Sequence, residues 1–294
     1  MIVNSFICPI CKNNLKKESK IFMCNNCCIS YHFDEVNKYY NFKVPTNIIK
    51  KIDQYKWYDR NKFYEIMAYI YRKQAKTKNL NYEKPSYDYS NKLNNEIDQL
   101  KGTYYLDIGG GDIRKSNKAQ IKWYTVNIDK INLSGIKENL VNIYGVGEFL
   151  PFPDNLFDNV LNFSCINHCI NPKIFMDEIY RVLKPNGCLL MTFEDYYDNT
   201  NKEKIQIISN NIMDRKKLFF TKIKNKIKRL EFRNIITPII FRIIKKYYQI
   251  KLKTKFNPSH LYFKKEDIDK LLINFDIEFM KLFDTFLLVK ARKK

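Results

Sequence analysis

Four near-continuous apolar runs dominate the middle of the chain: TYYLDI at 103–108, WYTVNI at 123–128, NVLNFS at 159–164 and CLLMTF at 188–193. A strand apolar on both faces must be covered on both faces, and the stretches between these runs have helical character. The pattern therefore predicts an α/β fold around a parallel sheet. The first run ends in three glycines, Gly109 to Gly111. Such a turn lets backbone N–H groups approach a ligand closely. A dinucleotide fingerprint needs a further glycine where Arg114 stands, and no Gly-Lys-Ser/Thr follows, so an NAD site is disfavoured and a P-loop is excluded. Asp129 ends the second run, where a carboxylate can accept hydrogen bonds from both ribose hydroxyls.

The flanks read differently. Residues 46–100 are a helical linker, with a helix over Asp59–Lys73 that puts Phe63, Ile66, Met67 and Ile70 on one face, then a polar stretch over Lys76–Asn94. The domain of residues 101–294 closes with a helix over Glu266–Ile273 and two strands, DIEFMKLF and TFLLVKA, joined by a tight turn at Asp284. Residues 1–45 hold five of the eight cysteines. Cys8 and Cys11 form one CxxC pair, Cys24 and Cys27 a second, and two such knuckles present four thiolates for a tetrahedral zinc. Cys28 is an alternative to Cys27 as partner of Cys24. Four protein ligands leave no open position, so the expected zinc ribbon is structural.

The blocks LDIGGGD at 106–112, Asp129, GVGEFLPFPDNLFD at 145–158 and DEIYRVLKPNG at 177–187 resemble class I S-adenosylmethionine-dependent methyltransferases, and the terminal helix and hairpin extend the likeness to the C-terminus. The resemblance implies a Rossmann-like seven-stranded sheet with a C-terminal antiparallel hairpin. It implies that Asp107, Gly109 and Gly111 hold the methionine part of S-adenosylmethionine and Asp129 its ribose. Val146 stands where the family has an aspartate for the adenine amino group, so Glu148 and neighbouring backbone groups are expected to take that role, with Phe149 or Leu150 packed on the ring. His168 follows the third run, NVLNFS, at the expected mouth of the site, and His260 lies where the chain re-enters the fold. Both are candidates for substrate contact or general base, against the plainer roles of capping a strand end or touching cofactor. Glu194 and Asp195 also follow a strand at the ligand-binding edge.

The formal charge is +21, and residues 201–257 carry 17 basic residues against three acids. Lysine supplies 43 of the 52 basic residues, as an AT-rich genome would encode, and arginine is the residue favoured for bidentate phosphate contacts. The basic insert has three readings: a helical lid over the acceptor, an amphipathic surface at 214–255 on anionic membrane, or an RNA-tracking surface. The leading function is methyl transfer to a small-molecule or glycan/lipid-linked acceptor. An RNA methyltransferase is the alternative, and a non-catalytic cofactor-fold binding protein the third. The segment MIVNSFICPICKNN reaches a cysteine pair before any apolar signal core, and no apolar run approaches the roughly 20 residues of a membrane span, so a cytoplasmic protein is expected.

Overall fold

The computed structural model describes residues 5–63, 65–66, 87–109, 120–128, 139–194, 244–252, 260–283 and 286–294. Gly111, Asp129, Asp195, the turn at Asp284, Met67, Ile70 and nearly all of the basic insert lie outside them.

Among the described residues one sheet of eleven strands runs through the molecule. Its centre is a parallel array of β5 (Tyr104–Ile108), β6 (Lys122–Asn127), β7 (Leu140–Tyr144), β8 (Phe157–Phe163) and β9 (Leu183–Glu194); the four apolar runs form β5, β6, β8 and β9, and β7 is a strand added to them. The antiparallel pair β10 (Phe275–Leu282) and β11 (Phe286–Lys293) closes one side against β9. Side chains alternate across this sheet. Leu106, Ile108 and Val160 pack with α4 (Pro172–Val182) on one face. Tyr105, Trp123 and Leu161 pack on the other face with α3 (Tyr87–Asp98). The polar linker expected over Lys76–Asn94 is thus corrected from Tyr87 onward: Leu93 and Ile97, one helical turn apart, are buried against Trp123, and that burial overrides the Asn- and Tyr-rich local composition.

The seven-stranded expectation needs a larger correction. The N-terminal lobe forms an antiparallel meander of β1 (Lys16–Glu18), β2 (Ile21–Cys24), β3 (Ile29–Asp34) and β4 (Tyr39–Asn41). It is not a separate sheet. β4 pairs in parallel with β7, Tyr40 opposite Ile143 and Asn41 opposite Tyr144, so the seven expected strands become part of eleven. The open edge of β7 carries unpaired N–H and C=O groups, and the lobe supplies their partners. Phe42 N donates to Tyr144 O at 2.9 Å and continues the ladder past the last strand residue. An aromatic cluster of Phe6, Phe22, Tyr40, Phe42 and Phe152 fills the seam.

A buried ionic node locks the same seam. Glu178 on α4 accepts from Lys12 of the first cysteine knuckle at 2.6 Å, from Leu150 N at 2.8 Å and from Arg181 through both carboxylate oxygens. Arg181 also reaches the Phe152 carbonyl at 2.6 Å and Asp154 at 2.9 Å. The 145–158 and 177–187 blocks are therefore wired to each other and to the N-terminal lobe. Asp158 has a structural post, accepting from Thr103 N, Tyr104 N and Lys184. The connector forms α1 (Thr46–Ile52) and α2 (57–63), and two further helices, α5 (244–252) and α6 (Lys265–Leu271), complete the described elements. Among the described residues no helix is long and apolar enough to cross a membrane.

Glu178→Ala leaves Lys12 without its carboxylate and Arg181 with only the exposed Asp154. It should cost about 3 kcal/mol or more in urea unfolding, because removing one partner of a buried pair strands the other. A cost under about 0.5 kcal/mol would show that the node does not hold the lobes together.

Candidate functional site

In open α/β sheets ligands bind beyond the carboxyl ends of the strands. Four of the expected site features meet there. Gly109 ends β5 with φ +81°, and a Cβ on it would sit 2.5 Å from Cys165 Cβ, so conformation and space both demand glycine. Asp107 is buried on β5 in register with Thr125 and Leu161. His168 closes a 3₁₀ turn, Ile166–His168, after β8. His260 lies at the re-entry before α6. The two imidazoles are neighbours, ring centroids 4.5 Å apart and nearly perpendicular, although 92 positions separate them in sequence.

Asn167 makes that meeting happen. It is buried, and its amide group bonds in three directions: Nδ2 to Glu194 O at 2.9 Å and to Leu261 O at 2.8 Å, while Oδ1 accepts from Glu194 N at 3.0 Å. Its backbone carbonyl takes Leu261 N at 2.7 Å. The end of β8, the end of β9 and the re-entry are thus tied at one side chain. Glu194 takes part through its backbone.

Glu148, expected at the adenine amino group, is buried. Its carboxylate is turned into the interior, where Oε1 accepts from Ile170 N and from Asn171 N at 3.1 Å. It therefore secures the loop that leads into α4, whose first turn is capped by the Asn171 side chain on Lys173 N and Ile174 N. Burial pushes the Glu148 carboxyl up to about 7, against the pull of its N–H donors and of the Arg60 cation. Phe149 packs against a cluster of Val44, Ile49 and Ile170, beside a cavity of about 450 Å³. That cavity opens at the carboxyl ends of β6 and β7. Ile128 and Val146 line it from the sheet, and Lys43, Val44, Trp57 and Tyr58 line it from the connector.

The connector residues were not singled out in the sequence. Arg60 is 4% exposed and donates to the carbonyls of Tyr55 and Cys169 at 2.8 and 2.7 Å; Trp57 Nε1 donates to His168 O at 3.0 Å. One signal was available: in a chain whose cations are overwhelmingly lysine, a retained arginine marks a place that needs a planar, multi-donor fork. Arg181, buried in the ionic node, obeys the same logic.

At the N-terminal lobe the sulfurs of Cys8, Cys11, Cys24 and Cys27 all lie within 4.8 Å of one another. Cys28 is exposed, its thiol directed to Asn25 O at 3.6 Å, and it is Cys27 that belongs to the four-thiol cluster. A tetrahedral zinc with bonds of about 2.3 Å needs sulfurs about 3.8 Å apart, and the observed Cys8–Cys27 and Cys11–Cys24 separations of 3.9 and 3.4 Å bracket that value.

Comparison with known proteins bears on the sheet and its carboxyl edge. Residues 106–191 match the family model of a methyltransferase domain. An uncharacterized protein of Methanocaldococcus jannaschii is 32% identical over 160 residues, 53% of this chain and 56% of its own length. The ubiquinone/menaquinone biosynthesis C-methyltransferase UbiE of Vibrio cholerae is 31% identical over 105 residues, 31% of this chain and 40% of its own. The sterol 24-C-methyltransferase ERG6B of Gibberella zeae is 34% identical over 124 residues, 36% of this chain and 32% of its own. The chain thus spans about half or less of the length of the relatives it matches.

The Glu148 carboxyl gives a pH signature. Its folded value of about 7 lies above the ordinary 4.5, so between those values the folded chain holds a proton that the unfolded chain has released, and stability falls as pH rises. This contribution is full below about pH 4.5 and lost through pH 7, roughly 3 kcal/mol in all. Glu148→Gln should remove that slope, so between pH 5 and 8 the urea midpoint of the wild type should fall relative to that of the variant. Parallel curves would contradict the inward, protonated carboxyl.

Proposed function

We propose that this chain is an S-adenosylmethionine-dependent methyltransferase with a structural zinc, acting on a small-molecule or glycan/lipid-linked acceptor. The observation that carries the reading is the convergence on one sheet edge of the Gly109 turn, the cavity at Ile128 and Val146, and the His168–His260 pair. The names of two relatives, a quinone-pathway and a sterol C-methyltransferase, support a small acceptor.

S-adenosylmethionine, when bound, supplies a methyl group already activated on a sulfonium sulfur. What remains for the protein is alignment, exclusion of water and, for an acceptor that carries a proton, a base. Gly109 permits close approach of the backbone at the end of β5. Asp129 accepts from the ribose hydroxyls. The apolar walls of the cavity, Val44, Trp57, Ile128 and Val146, would hold the adenine ring. An adenine held there would lie against the connector, with Glu148 turned inward behind the loop. Phe149 backs the wall from the cluster of Val44, Ile49 and Ile170. His168 or His260 takes the acceptor's proton, and its perpendicular partner keeps it in place. Cys8, Cys11, Cys24 and Cys27 hold zinc and fix the lobe that presents β4 to β7.

Purified protein incubated with methyl-labelled S-adenosylmethionine and an extract should place label in the small-molecule or lipid-extractable fraction, and Asp129→Ala should abolish it. Label in RNA would replace the acceptor class and assign the insert to RNA. No label and no cofactor binding at high micromolar concentration would leave a non-catalytic binding protein. Metal analysis should return one zinc per chain, retained in Cys28→Ser and lost in Cys27→Ser; equal retention in both would overturn the four-cysteine assignment.

A further inference from the structure

The loop that presents His168 has its backbone polar groups taken up from both sides. His168 O accepts from Trp57 Nε1 at 3.0 Å, and Cys169 O from Arg60 Nη2 at 2.7 Å. Arg60 Nη1 reaches Asn167 O at 3.5 Å, and its Nε is anchored on Tyr55 O at 2.8 Å. On the far side Glu148 takes the N–H groups of Ile170 and Asn171. Carbonyls thus face a buried cation and amides face a buried carboxylate, which sets the direction of the loop as well as its position. Arg60 and Trp57 come from α2, outside the matched residues 106–191.

We propose that Arg60 is a positioning residue: its guanidinium fork, with the Trp57 indole, fixes the 167–169 carbonyls and so holds His168 against His260 for the acceptor. The role in catalysis rests on the methyltransferase reading above; the placement of the imidazoles does not. A lysine could not substitute. One ammonium is a point charge on a flexible stem and cannot span the carbonyls of Tyr55, Asn167 and Cys169 in a fixed plane. The cavity walls do not include Arg60, so the effect should fall on the acceptor side.

Arg60→Lys tests this. The chain has three histidines, so imidazole NMR reads each ring: His32 in the lobe is the internal control. In Arg60→Lys the His168 and His260 signals should shift and their mutual ring contact should be lost, while His32 is unmoved. In turnover, kcat should drop about tenfold or more, with the dissociation constant for S-adenosylmethionine changed less than about twofold. Unmoved His168 and His260 signals would overturn the proposal whether or not the protein is active. Moved signals in a protein that transfers no methyl group would keep the positioning and fail the methyltransferase reading instead. Should His32 move too, reporting a lost fold, Trp57→Phe is read by the same signals; it removes the indole N–H from the His168 carbonyl and keeps an aromatic ring. Unmoved imidazoles in a folded Trp57→Phe would likewise contradict the clamp.

Discussion

The parallel pairing of β4 with β7 is the contact on which the rest of the molecule depends. It is short, two residue pairs and one continuing backbone bond, but it joins a cysteine-rich meander to the central sheet as one body. It also determines where the chain goes next. From Phe42 the backbone leaves the seam at the carboxyl ends of the strands, so α1 and α2 cross the edge at which open α/β sheets bind ligands. The cavity between Val146 and Trp57 and the carbonyl clamp from Arg60 both follow from that path.

Two buried carboxylates organise the polar interior, by opposite means. Glu178 is saturated by cations and by an N–H, and it links Lys12 of the lobe to both sequence blocks of the sheet domain. Glu148 has backbone N–H partners and a more distant arginine, and burial raises its carboxyl to about 7. Buried ionic groups are a poor source of net stability, since desolvation offsets most of the Coulomb attraction. What these two supply is direction: each can be satisfied in one arrangement of the loops around it.

Much of the central fold was legible. Doubly apolar runs gave the parallel strands, and the paired CxxC spacing gave the lobe with its four converging thiols. The edge location of His168 follows from the end of an apolar run, and that of His260 from the re-entry of the chain after the basic insert. The joining of the sheets was not legible, because a two-residue parallel pairing leaves no periodic mark on either strand. The helix from Tyr87 was missed because its buried residues, Leu93 and Ile97, are few among polar neighbours. The resemblance of its block implies a cofactor contact for Glu148; that its carboxylate faces inward is visible only in the path of the 167–171 loop. Arg60 carried the one available clue, its rarity among lysines.

Hydrogen exchange with and without S-adenosylmethionine tests most directly whether lobe, connector and sheet form one cofactor-binding body. Protection rising together in 43–61 of the connector and 144–149 after β7 is the expected result. Protection confined to 144–149, with the connector exchanging as in the free protein, would contradict it and return the cofactor to the sheet alone.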